Sequence, residues 1–253
     1  MAPRLPVQVV RDGRVVGQHI VDDTRASFSQ GLSTETRVLE GEARGEIVRE
    51  AREWGANLVV VGARGLGALA GFFFGSVSIA VARHVDTAVL VVKGHPRRLE
   101  QVIVGLDGSD ESLNAARFVA ALPLAPGLSV RLVGVVEPLY LMAPSIARKE
   151  IATAIHQMEE ARRANLDKAL GQAAALFEAH GIAVARTTLQ GHPAEVIVAA
   201  AQSPDADLIV VGARGLGGFG RLLLGSVSEN VLRAARCPVL IVKSPHASKE
   251  RRQ

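Results

Sequence analysis

The sequence predicts an α/β architecture of two tandem doubly wound domains with parallel sheets, the first of them truncated. Three observations carry this expectation. Apolar residues fill 48% of the 253 positions, aromatics only 4%, and there are 25 glycines, a composition suited to helices packed on strands buried on both faces. Short Val, Ile and Leu runs alternate with longer helical patterns, which implies right-handed crossovers between parallel strands. The chain also repeats itself at a fixed offset. Val60–Gly67 (VVGARGLG) recurs as Val210–Gly217, Gly75–Ser78 (GSVS) as Gly225–Ser228, and Val92-Lys93 as Val242-Lys243.

The second copy is the more complete. Gln101–Leu106 reads as a strand, and Asp107-Gly108-Ser109-Asp110 supplies a turn and an N-cap for a helix running to Leu122. Ser129–Val136 is a second strand. Arg148–His180, rich in Ala, Glu, Leu and Gln, reads as one long amphipathic helix closed by Gly181, with Gly171 a point of interruption. Ile182–Leu189, Leu208–Val211 and Val239–Val242 are strands three to five, with helices over Pro193–Gln202 and Ser226–Arg236 between them.

In the first copy the repeat is recognisable only from about Ser33, so it matches the last two and a half βα units. Val7–Val10 and Arg14–Val21, joined by Asp12-Gly13, are expected to form a β-hairpin, because Asp-Gly favours a two-residue turn. The competing expectation is that residues 1–32 come from a misread gene start or a frameshift. The resulting division is an incomplete repeat over 1–95, a linker over 96–100, a complete repeat over 101–245 and a basic tail over 246–253.

Several function classes recede on composition. No run of apolar residues is long enough to span a membrane, and no apolar core follows a basic N-terminal start as in a secretory signal. The single cysteine, Cys237, has no internal partner and sits in an apolar stretch, which fits a packing residue in a reducing cytoplasm. The net charge of +4 is spread along the chain, and one Trp and one Tyr leave little for stacking on bases, so nucleic acid is not an expected partner. The seven histidines are scattered without metal-ligand spacing.

Chemistry concentrates in one loop. Gly212-Ala213-Arg214-Gly215, nine residues, then Gly225-Ser226 follows a buried strand and opens a helix. Glycines let backbone N–H groups approach an anion, and the helix start adds its partial positive charge. Such a loop suits phosphate, with Ser226 and Ser228 as hydroxyl donors and Arg214 reaching either a phosphate or water. Gly215-Leu216-Gly217-Gly218-Phe219-Gly220 also spells the dinucleotide fingerprint, but it begins several residues after its strand, and no acid closes the next strand.

The pattern G-x-x-G, nine residues, G-[ST] resembles the ATP-binding signature of universal stress proteins. It occurs twice, as Gly62, Gly65, Gly75, Ser76 and as Gly212, Gly215, Gly225, Ser226. Val102–Ser109, Arg131–Pro138, Gly191-His192-Pro193 and Cys237–Val242 are similar to that family's first strand and acidic turn, second strand, third-helix start and closing strand. The resemblance implies a HUP, or adenine nucleotide alpha hydrolase-like, fold and an ATP site, with Mg, in the second repeat. There Asp107 would bond the ribose or adenine side and the Val135 backbone would contact adenine. Gly212, Gly215, Gly225, Ser226, Val227 and Ser228 would hold the phosphates. A weaker second site is implied at Gly62, Gly65, Gly75, Ser76, Val77 and Ser78, where nothing matches Asp107 or Val135. Gly105 departs from the proline common in the family's ATP binders.

Hydrolysis of ATP needs a group that aligns water with the phosphate, and none is evident, so the expected role is a non-enzymatic, ATP-binding stress-response regulator. The alternatives are an interaction module that has lost its nucleotide, with no thermal shift on ATP, and a weak ATPase whose phosphate release is lost on Asp107→Ala. The resemblance also implies that the closing strands, Thr87–Val92 and Pro238–Val242, pair across a twofold axis, giving a pseudo-dimer within the chain or a homodimer between chains.

Overall fold

The computed structural model describes residues 4–10, 14–27, 33–63, 75–94, 98–138, 152–202, 206–215 and 224–243. The second repeat contains β5 (Gln101–Leu106), α4 (Asp110–Ala120), β6 (Ser129–Val136), α5 (Ala152–Glu178), β7 (Ala183–Gln190), α6 (Pro193–Ala200), β8 (Leu208–Gly212), α7 (Ser226–Ala234) and β9 (Val239–Val242). Its strands lie in the order β9-β8-β5-β6-β7, all parallel. Val102, Val104, Leu106, Leu208 and Val210 face one core with α4 and α5, while Ile103, Ile209 and Val211 face another with α6 and α7. This two-sided burial is why β5 and β8 read as nearly continuous apolar runs. Helix α5 continues through Gly171 without interruption.

The first repeat contains β1 (Arg4–Val10), α1 (Arg14–Ser27), β2 (Ser33–Leu39), α2 (Ala43–Trp54), β3 (Leu58–Gly62), α3 (Ser76–His84) and β4 (Ala88–Val92). The expected hairpin does not form. Arg14–Ser27 is a helix, and β1 pairs with β2 in parallel. The reason lies in the spacing: Val15-Val16 and Ile20-Val21 recur with helical period, Gln18 bonds Asp22 one turn on at 3.1 Å, and a parallel pair needs a crossover that a tight turn cannot supply.

The register identifies what β1 is. Leu39 lies opposite Val10, as its repeat equivalent Leu189 lies opposite Val135, and α2 packs on β1 as α6 packs on β6. Strand β1 therefore occupies the place of β6, and α1 is a shortened α5. What the described residues of the first repeat lack is a counterpart of β5 and α4.

That gap leaves β1 and β2 as a separate two-stranded sheet, while β3 ends a seven-stranded one of order β3-β4-β9-β8-β5-β6-β7. The two repeats join through β4 and β9, which pair antiparallel with Leu90 opposite Leu240, its own repeat equivalent, so a pseudo-twofold axis passes through the sheet. The fold is thus a mostly parallel mixed sheet with helices on both faces. Among the described residues, no helix is long and apolar enough to cross a membrane.

The missing helix has a measurable cost. Val210 is 0% exposed beneath α4, whereas its equivalent Val60 is 57% exposed. Val210→Ala is expected to destabilise the protein by roughly 1.5–3 kcal/mol, and Val60→Ala by less than about 0.5 kcal/mol. Urea denaturation of the two variants measures the difference directly.

Candidate nucleotide site

At the crest of the sheet, β5 delivers Asp107 and β8 delivers the glycine loop, at the switch point where strand order reverses and open α/β sheets bind ligands. Asp107 is held by the start of α4. Its Oδ1 accepts from the Ser109 N–H at 3.0 Å and from the Ser109 hydroxyl at 2.6 Å. Ser109 Oγ in turn caps α4 by accepting from the Ser112 N–H at 3.2 Å. The second carboxylate oxygen, Oδ2, rests where a Cβ on Gly215 would be, so glycine at 215 is what lets the acid and the loop meet.

The loop is closed by main-chain contacts. Ala213 donates to Val242 O at 2.8 Å, and its own carbonyl accepts from the Gly225 N–H at 2.8 Å. A Cβ on Gly225 would lie 3.3 Å from that carbonyl, which accounts for the glycine there. Helix α7 starts at this point with Gly225 as an N-cap that makes no side-chain bond, so the first-turn N–H groups of Ser226, Val227 and Ser228 have no cap. Ser228 Oγ is buried, 2.8 Å from Ala213 O and 2.9 Å from Gly225 O. Its single proton is committed to the loop, which leaves the Ser228 main chain to face a ligand.

These parts enclose a cavity of about 330 Å³. Every second-repeat position singled out in the sequence lines it: Asp107, Val135, Gly212, Gly215, Gly225, Ser226, Val227 and Ser228. Strand β6 outruns β5 here, since the β5–β6 register ends at Gly134 while β6–β7 continues to Val136, so the Val135 backbone stands beyond the end of its neighbour.

The Universal stress protein family profile matches residues 6–93 and 99–243. The chain belongs to this family. Universal stress protein Rv2623 of Mycobacterium tuberculosis is 30% identical over 253 residues, spanning 94% of this chain and 80% of that protein. A universal stress protein of Thermus aquaticus is 37% identical over 145 residues, covering 56% of this chain and 97% of its own. Among solved structures, protein PA1789 of Pseudomonas aeruginosa superposes with a TM-score of 0.61 at 17% identity over 96% of this chain and 82% of that one. A universal stress protein of Archaeoglobus fulgidus does so with a TM-score of 0.58 at 22% identity, over 89% and 74%. At these identities the structures speak to the fold.

In this universal stress protein the two loops differ in what they face. In the first repeat Gly75 N–H donates to Ala63 O at 2.9 Å and Ser78 Oγ to Gly75 O at 2.9 Å, repeating the closure seen at Gly225. Ser76 and Val77 begin α3 as Ser226 and Val227 begin α7, and Gly62 ends β3. Gly65 lies outside the described residues. Val10 stands at the register position of Val135, whereas Asp107 has no equivalent among the described residues of the first repeat, because it would follow a counterpart of β5.

Several wall residues lie outside the set of site residues predicted from the sequence: Glu137, Arg162, Leu166, Pro193, Ile197 and Val211. Glu137 follows β6 directly, and His192 Nδ1 lies 3.3 Å from its Oε1. The departure at Gly105 has a packing reason, since a Cβ there would fall 2.8 Å from Ile197 Cδ1 and 3.2 Å from Val211 Cγ1. Cys237 is half-buried, and burial raises its thiol pKa, which suits a packing residue.

Proposed function

We propose that this universal stress protein binds one ATP, with Mg, in the second-repeat cavity, and acts in the cytoplasm as a stress-response regulator whose nucleotide biases conformation or partner choice. The observation that carries the reading is the juxtaposition of an uncapped helix start, a glycine loop and an oriented carboxylate around one cavity. Main-chain N–H groups and the helix terminus suit phosphate, and Asp107 suits a hydroxyl or amine donor of the nucleoside. About 330 Å³ lies within the range of small-molecule sites, roughly 300–1,000 Å³.

Mg, carried on the phosphates and water, would offset the charge of the triphosphate, and no protein ligand is assigned to it. The reading assigns no catalytic step. The first-repeat loop, with no acid opposite it among the described residues, is a weaker site: losing one charge-assisted hydrogen bond of about 1.5–3 kcal/mol lowers affinity roughly tenfold to a hundredfold.

Titration calorimetry with Mg-ATP is therefore expected to fit one strong site per chain. Two equivalent sites would contradict the assignment of the acid, and no heat at millimolar ATP would overturn the nucleotide reading.

A further inference from the structure

We infer that Arg162, on the long helix of the second repeat, closes over the phosphate chain and makes the site prefer a polyphosphate to a nucleoside. The inference rests on the ATP reading above and assigns it a residue that the glycine loop does not contain.

Arg162 lines the same cavity as Gly215, Gly225 and Ser226, but reaches it from α5. Two neighbours fix the phase of that helix. Leu166, one turn on and therefore on the same face, packs over Gly134, whose Cβ would lie 2.9 Å from Leu166 Cδ2. Asn165 donates its amide to Gly108 O at 3.4 Å, in the turn that follows Asp107. With Asn165 on the acidic turn and Leu166 on β6, the side chain at 162 is directed into the cavity, while Arg163 beside it is exposed and does not line the cavity.

The electrostatics point to an anion. Arg162 is half-buried, and among the described residues it has no carboxylate or carbonyl partner, although Arg37, Arg52, Arg83 and Arg233 all do. A guanidinium partly withdrawn from water gains most from a bidentate oxyanion. The two carboxylates in the lining, Asp107 and Glu137, suit the hydroxyl and amine donors of a nucleoside and repel phosphate. Selection for the phosphate chain then falls to Arg162 and Arg214. Among the described residues the first repeat has no equivalent stretch of helix, since α1 has 14 residues and α5 has 27.

The test is calorimetric titration of the full chain with Mg-ATP, AMP and adenosine, comparing wild type with Arg162→Gln, Arg162→Lys and Arg163→Gln. Arg162→Gln is expected to weaken ATP about tenfold or more and adenosine less than about twofold. Arg162→Lys, which keeps the charge but loses the fork, should fall between, and Arg163→Gln should match wild type. If Arg162→Gln binds ATP as wild type does, or loses ATP and adenosine equally, the clamp is wrong while the nucleotide site stands. Wild type that ignores all three ligands overturns the site and the clamp together.

Discussion

Alanine at Gly215 is expected to weaken ATP binding by roughly tenfold to a hundredfold, as Asp107→Ala does, and the double variant by little more than either alone. A Cβ at 215 would overlap Asp107 Oδ2, and the carboxylate is too short to swing clear while both of its Ser109 bonds, at 3.0 and 2.6 Å, are kept. Displacing the acid removes the same charge-assisted contact that Asp107→Ala deletes, about 1.5–3 kcal/mol. Two substitutions that abolish one interaction do not add. The fold should bear Gly215→Ala well, because the clash is with a side-chain tip and not with backbone. Dissociation constants for the two single variants and the double variant decide it: additive losses would mean that Gly215 and Asp107 serve the ligand separately.

The two halves of the chain were unequally legible for a physical reason. Strands β5, β6 and β9 fall on the residues read from the sequence, since each is dominated by Val, Leu and Ile between turn residues and is buried on both faces. Strand β1 escapes a sequence reading because the repeat does not keep a single offset along the chain. Val10 answers to Val135 at a spacing of 125 (135 − 10), whereas Leu39 answers to Leu189 at 150 (189 − 39), the difference lying in the shorter crossover through α1. The Asp12-Gly13 signal is local, and the tertiary demand for a parallel partner overrode it.

The site shows the same division. The glycines and serines of the loop announce themselves by spacing, but Arg162, Leu166 and Ile197 reach the cavity only through the phase and tilt of helices whose sequences look like ordinary amphipathic surface. Gly212 has a packing reason beside its place in the cavity wall: a Cβ there would lie 3.0 Å from the Glu111 carbonyl carbon, so the approach of α4 to β8 also calls for glycine.

A second large effect concerns the joint between the repeats: wild-type protein is expected to gain stability as pH rises from about 8 toward 10.5, and Lys93→Met/Lys243→Met to lose that gain. Lys93 Nζ donates to Leu232 O at 2.5 Å and Ala235 O at 2.7 Å, closing the C-terminal end of α7. Lys243 reciprocates, donating to Arg83 O at 3.1 Å and to Val85 O at the end of α3. Each repeat's closing strand thus caps the other's last helix, and the Arg83–Glu229 pair at 2.6 Å ties the same helices together. Burial brings both amines down from the usual 10.5 to about 8. Between these values the unfolded chain keeps protons that the folded chain has released, so stability increases with pH. Below about 8 both states are protonated, and the contribution is gone. A neutral amine still has two N–H donors, so the carbonyl bonds survive deprotonation. Denaturation at pH 7.5 and 9.5 should differ by about 1–2 kcal/mol through Lys93, and by less through Lys243, which solvent reaches more readily. A flat wild-type profile, or a rise that the double variant retains, would show that both amines stay protonated against the helix ends, with the terminal carbonyls outweighing the loss of hydration.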